Sequence, residues 1–519
     1  MRGAVLAAVA VLLLTGPALA RQSNSNTPPG ATTATTVEQL DEQVRGLVTP
    51  SVNINSSRCG PTFNRLLAAG DNPLFDRLPI ETRRLVLRVA TGCSRRDPPP
   101  RAVALIRRLE PLAEAPDQVA DANQILMEEA QKRKDMVEGA RRLIRIIDAD
   151  PDRVAGWWPP YLNQFINGEG VRDNPDIAIP LLQRLTAMTW RDSDSRSAAT
   201  NYWAGRYGEL LIDRGDVAGA QRVLAGMENT QLWMTVAQDR RYASLWAGFQ
   251  SAGRFDWRKS VESELTANVA RRAEKPKQLV LVYEALQLLR QLQRYDDAIA
   301  LGQAWRARIK DGETFEDGEK YANWVLNELA YALYDTGRSV DGETVFLESI
   351  EVGEAGTRSV SQRINWAERL NTMGRPLEAL AVLETLSPAG ASPYGEMWAS
   401  AGRVCALSQT GGEGTATALN TMRPRWQDNP SALTQALVCA GLLDEAAALY
   451  VKRLQSPKHR ADVLEAFRVV LPPPTLTPRQ VELERRRLTV LNRPDVQAAL
   501  AAVGRAIDLP LAGAYWGSI

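Results

Sequence analysis

Residues 201–227, NYWAGRYGELLIDRGDVAGAQRVLAGM, hold two amphipathic helices and the turn between them. Trp203, Tyr207, Leu210 and Leu211 recur at helical spacing and mark one apolar stripe. Gly208 leaves room for a second helix to come close. Arg214-Gly215-Asp216 breaks the first helix: Gly supplies the turn geometry, and Asp can cap the next start. Val217, Ala220, Val223, Leu224 and Met227 then form the stripe of the second helix.

The same design recurs along the chain. Trp324, Leu326, Ala330 and Leu333 precede Gly337, then Gly342 and Phe346 follow. Trp366, Ala367 and Leu370 precede Gly374, then Ala379, Leu380 and Leu383 follow. Leu433, Leu437 and Ala440 precede Gly441, then Ala446 and Tyr450 follow. The residues 294–301, RYDDAIAL, repeat the turn and the second-helix start. A small residue early in the second helix can be followed through Ala102, Gly139, Ala178, Ala220, Ala298, Gly342, Ala379, Ala416 and Ala446, with Arg258 as a poor match. The period is roughly 38 residues, in the range of repeat arrays, which have no single core and no built-in active site.

An aromatic and a Gly or Ala in the first helix, a Gly-centred turn, and a small residue early in the second helix together resemble the tetratricopeptide-repeat family. A Pro often closes its unit, as Pro151 does after Leu143 and Ile146. The resemblance covers residues 37–471 unevenly, and the spacing departs from the family's 34 residues per repeat. It implies an all-α fold: an α-solenoid of about ten antiparallel helix hairpins. Strand signals are weak throughout. Pro472-Pro473-Pro474 ends the array, because consecutive Pro cannot sit inside a helix. Residues 472–519 are expected to form a two-helix cap, 478–491 and 494–507, with Arg485, Arg486 and Arg487 on its exposed side. An apolar tail, LPLAGAYWGSI at 509–519, folds back on that cap or docks to a partner.

The first residues read as an export signal. Arg2, an apolar run over 4–14 and Ala18-Leu19-Ala20 predict a Sec-type signal peptide cut after Ala20, hence a bacterial periplasmic or secreted product with no integral membrane segment left after cleavage. Residues 21–36 read as a polar, flexible leader. Export makes the four cysteines candidates for disulfides. Cys59 and Cys93, and Cys405 and Cys439, pair most economically, since equivalent regions of neighbouring repeats lie side by side. Each bridge is worth roughly 3–4 kcal/mol in the chain-entropy description.

The chemistry points away from catalysis. His459 is the single His, which excludes a multi-His metal site, and its setting, Ser456-Pro457-Lys458-His459-Arg460, reads as a solvated turn. No G-x-S-x-G, S-x-x-K, H-E-x-x-H or phosphate-loop motif occurs. Asp148-Ala149-Asp150-Pro151-Asp152 begins like a calcium loop but has Arg153 where Gly is required. Arg214-Gly215-Asp216 reads as a repeat turn rather than an adhesion signal, and Asn55-Ser56-Ser57 carries little weight as a glycan acceptor in a bacterial product. No cofactor is expected.

The residues that could contact a partner are aromatic and basic. Trp157, Trp158 and Tyr161 form the most unusual cluster, because adjacent Trp on a helix point about 100° apart and cannot share one stripe. Trp203, Trp246, Trp324, Trp366 and Trp398 read as core, with a concave aromatic ladder as the alternative. Net charge is +1, which gives no case for nucleic acid. Between Arg77 and Glu110, Arg83, Arg84, Arg88, Arg95, Arg96 and Arg101 contribute to a basic excess that could attract an anionic envelope polymer; the residues 311–354 are strongly acidic. Such blocks usually form solvated faces. The expectation is an exported, non-catalytic scaffold that binds a peptide or partner protein on a concave helical face. The alternatives are a glycan-active enzyme of lytic transglycosylase type, for which Glu482 and Glu484 are helix-surface candidates, and an accessory protein of polysaccharide export.

Overall fold

A computed structural model describes residues 34–48, 59–94, 98–188, 190, 193–352, 359–386 and 391–517. The expected signal peptide and most of the expected leader lie outside them, as do Asn55, Arg95 and Arg96. The described chain is all-α apart from two short strands, with twenty-seven α-helices. No described helix is long and apolar enough to cross a membrane. The residues fall into two compact units, 1–154 and 155–519.

One turn recurs through both units and explains the small-residue period. At Asp135, Asp216, Arg294, Arg338, Arg375 and Leu442 the residue before the N-cap has positive φ. The N-cap N–H then donates back to a carbonyl five residues earlier, as Arg375 does to Leu370 at 2.9 Å. This is the Schellman arrangement, which ends one helix and starts the next with no spare residue. The fourth residue after the N-cap donates the first hydrogen bond of the new helix, to the N-cap carbonyl. That residue is Gly139, Ala178, Ala220, Ala298, Gly342, Ala379 or Ala446, with bonds of 2.9–3.1 Å. Its side chain faces the preceding helix: a Cβ on Gly342 would stand 3.1 Å from the Tyr334 ring.

The poor match at Arg258, and the position of Ala416, are corrected by the same rule. Arg258 and Ala416 are exposed. Counted from the caps Asp256 and Gly414, the equivalent residues are Ser260 and Ala418, whose N–H groups bond those caps at 2.9 Å each. Both helices are in register with the others, with the small residue two positions later than the sequence pattern puts it.

The N-terminal unit begins its first helix at Val37, capped by Thr36 Oγ1, which accepts from Gln39 N at 3.3 Å. Its core runs through Leu40, Phe75, Leu87, Ile106 and Leu126. A buried network lies among the helices Pro116–Lys132 and Met136–Ala149 and the carboxylate of Glu110. Asn123 Nδ2 donates to Glu110 at 3.1 Å, Arg142 pairs with it at 3.2 Å, and Arg145 also pairs with it. Burial alone would raise the Glu110 pKa; Asn123 and the two guanidinium groups outweigh it and hold the carboxyl below its ordinary value.

In the C-terminal unit a first helix typically packs on its own second helix and on the next first helix, as Leu279–Gln291 does on Tyr295–Lys310 and on Gly318–Asp335. The disulfide Cys405–Cys439, with Cα atoms 5.0 Å apart, ties Pro393–Leu407 to Pro430–Cys439 beside Leu483 of the terminal segment. Cys93 is also disulfide-bonded; the Cys59 side chain lies outside the described residues.

The terminal segment differs from a purely helical cap. β1 (Arg468–Leu471) and β2 (Ile507–Ala512) pair in parallel, with an irregularity between Val469 and Leu471. Parallel strands need a long crossover, and the helices Pro478–Leu491 and Pro494–Val503 supply it. The last helix stops short of residue 507 because the chain enters β2 there. Arg485, Arg486 and Arg487 do not share an exposed side. Only Arg485 is exposed; Arg486 donates to the Cys439 carbonyl at 3.0 Å and Arg487 to that of Ala466 at 2.8 Å.

This segment also meets residues far back in the chain. Gln238 Nε2 donates to the Leu464 carbonyl at 2.7 Å, and Arg468 Nε donates to Gln238 Oε1 at 2.8 Å. Arg505 donates to the Ala237 carbonyl at 2.7 Å and lies 3.8 Å over the Trp246 ring. Gly504 allows this approach: a Cβ there would stand 2.7 Å from the Gln238 carbonyl oxygen.

Candidate functional site

Three first helices of the C-terminal unit carry a second, polar and aromatic stripe. Tyr283, Gln287 and Arg290 share one helix face. Trp324, Glu328, Tyr331 and Asp335 do so on the next first helix, and Ser431, Thr434, Gln435 and Val438 on a third. With Trp398, Tyr450, Arg453, Glu484, Arg487, β2 and the residues 513–517, they enclose a cavity of about 660 Å³. That volume lies within the range of small-ligand sites, about 300–1,000 Å³.

The charges at its wall are mostly paired. Arg290 bonds Glu328 at 2.6 Å and Asp335 at 2.9 Å, and stands 5.1 Å over the Tyr331 ring. Burial works against its charge, but Asp335 and Glu328 raise its pKa above the ordinary value. Glu484 pairs with Arg487 at 2.6 Å and accepts from Trp516 Nε1 at 3.0 Å. Burial opposes ionisation of Glu484, yet these partners lower its pKa.

Arg453 is different. Its Nη atoms donate to Thr434 Oγ1 at 3.1 Å and Ser431 Oγ at 3.0 Å, and no carboxylate among the described residues reaches it at ion-pair distance. Its Nε has no partner, and burial lowers its pKa. Trp398 Nε1 is likewise buried without an acceptor. Gln435 donates to Glu368 at 2.7 Å; Glu368 is almost fully buried, its other oxygen unpartnered, and burial pushes its pKa up to about 8.

The residues singled out from sequence take varied places. Trp203 and Trp366 are core, Trp324 and Trp398 line the cavity, and Trp246 is held by Arg505. Trp158 is 68% exposed at the N-cap of Pro159–Ile166, while Trp157 is half-buried with its ring edge-on to Tyr161 at 5.9 Å. Tyr161 is also half-buried. Arg84 pairs with Glu81 and Glu114, and Arg101 with Asp71; Arg83 is half-buried and Arg88 exposed. The described part of the basic excess is thus partly neutralised in place.

Three expectations are corrected. His459 is not solvated: it is 5% exposed, its ring 5.1 Å from that of Trp426, and burial together with Lys458 and Arg453 lowers its pKa. The acidic block is not wholly a solvated face, because Glu328 and Asp335 are buried against Arg290. Glu484 is not a helix-surface residue but part of the cavity wall, whereas Glu482 is bound by Arg485 and Arg486.

The calcium-like run instead caps a turn, with Asp150 Oδ1 accepting from Arg153 N at 3.1 Å. Among the described residues no His, Cys, Asp and Glu group is arranged to hold a metal. The cavity itself escaped sequence reasoning. The available signal was polar residues recurring on the same helices at the helical period beside the apolar stripe. No protein-family model matches this chain, and no curated protein matches its sequence.

Proposed function

We propose that this chain is an exported, non-catalytic binding scaffold of the bacterial cell envelope, an α-solenoid of tetratricopeptide-like hairpins that receives a peptide or partner protein on its concave face. One observation supports this most: the C-terminal unit already holds an extended segment, β2, against the first helix Leu279–Gln291 and the second helix Trp257–Glu274. β2 and the residues after it bury Leu509 and Leu511 there, and Gln480 Nε2 donates to the Trp516 carbonyl at 2.6 Å. A face that accommodates one extended chain is suited to another.

The test is site-specific photo-crosslinking in cells. A crosslinker at Gln231 or Ala514, both exposed at the cavity rim, should capture a defined envelope protein; one at the exposed Lys259 should not. Equal capture from all three, or none, sinks the reading. A second reading, an accessory role in handling an exported polysaccharide, is favoured by the composition of the cavity wall.

A further inference from the structure

We propose that the cavity of the C-terminal unit is a binding site for a neutral saccharide. This rests on the second reading above and is independent of whether a protein partner is bound. The first argument is charge. Of the lining groups, Arg290, Arg453, Arg468 and Arg487 stand against five carboxylates, among them Glu328, Asp335 and Glu484. A wall so balanced attracts neither a strong anion nor a strong cation, and only Arg453 lacks a carboxylate at ion-pair distance among the described residues.

The second argument is the kind of polar surface. Every aromatic residue in the wall is Tyr or Trp, and none is Phe. Such rings offer an apolar face and a hydrogen-bonding edge. Tyr283 and Trp324 lie with centroids 6.0 Å apart, and Gln287 donates to the Tyr283 hydroxyl at 2.8 Å. Gln231, Gln287, Gln291 and Gln435 add amides, each able to donate and accept. A sugar ring presents C–H faces that stack on indole or phenol, and hydroxyls that donate to carboxylates and accept from guanidinium or indole N–H.

The third argument is the unmet polar capacity. Arg453 Nε and Trp398 Nε1 are buried donors without acceptors. A buried donor left unpaired is costly, and both lie on residues of the cavity wall, so a small shift of either side chain toward a ligand oxygen would satisfy it.

The experiment is calorimetric titration of the mature full-length protein with cellobiose, maltose and di-N-acetylchitobiose, with digalacturonate as the anionic probe and trialanine as the peptide probe. At least one neutral disaccharide should bind with a stoichiometry near one. Trp398→Phe, which keeps a ring but removes the N–H, should weaken it roughly fivefold to tenfold, and Gln287→Ala should weaken it as well; circular dichroism melts check that each variant folds. The proposal is overturned if no neutral probe binds at millimolar concentration, if digalacturonate or trialanine binds in preference, or if neither folded variant changes the affinity. Those failures leave the crosslinking result standing, so the saccharide site and the protein-binding scaffold are judged separately.

Discussion

At the residue scale, the recurring turn sets a conformational demand that two positions meet poorly. Lys134 and Gln293 hold φ near +60° where the equivalent turns have Gly. A left-handed conformation costs a residue with a Cβ roughly 1–2 kcal/mol, of which Gly's greater unfolded-state freedom returns about half. Lys134 is exposed, so replacing it removes little packing. Lys134→Gly should stabilise the N-terminal unit by a few tenths to about 1 kcal/mol in urea unfolding. Gly374→Ala is the converse: φ is +74° and no atom lies within 4 Å of the added Cβ. It should destabilise by about 1 kcal/mol through backbone strain alone. If both changes have the same sign, the shared turn geometry is wrong.

At the element scale, the helices were legible because each apolar stripe repeats over three or four turns, and the turns because Gly and Asp stand at fixed offsets. The strands were not. β1 is four residues long, too short to show alternation, and Pro510 within β2 argues against a strand unless it lies at an edge; in a two-stranded sheet every strand is an edge. The cavity stripes were hidden for a related reason, since Glu328 and Asp335 look like surface charge until Arg290, on the neighbouring first helix, is seen to meet them. His459 misled similarly, because its basic neighbours said nothing of Trp426.

One contact between elements has a measurable pH signature. Glu368 on Val360–Thr372 accepts from Gln435 on Pro430–Cys439, and burial raises its pKa from 4.5 to about 8. A carboxyl raised on folding contributes stability fully below its unfolded pKa and loses it as pH rises through the folded value. The C-terminal unit should therefore lose stability between about pH 4.5 and pH 8 on account of this group, by an amount on the order of a few kcal/mol. Glu368→Gln keeps an acceptor for Gln435 and removes the titration. Its unfolding midpoint should exceed that of the parent at pH 8 and match it near pH 5. A parallel offset at both pH values would mean that Glu368 does not titrate in this window.

At the scale of the whole molecule, the C-terminal unit is more than a string of neighbours. In a simple repeat array each unit touches only the next, and a local change stays local. Here the residues 237–246 are bound to the residues 464–505, through Gln238, Arg505 and an isolated bridge between Asp239 and Gly504. The stretch between them, which carries the three helix stripes of the cavity wall, is thus spanned by this contact. Gly504 is the narrowest point of that closure, because the atom an added Cβ meets is the backbone oxygen of Gln238 and cannot rotate away. Gly504→Ala should cost about 1–3 kcal/mol by forcing the two segments apart. Hydrogen exchange locates the effect: amides in Thr230–Gln238 should lose protection together with those in Pro494–Val503, although more than two hundred residues separate them in sequence. Loss of protection confined to the terminal helices would mean that the closure carries no energy and that the cavity opens without cost.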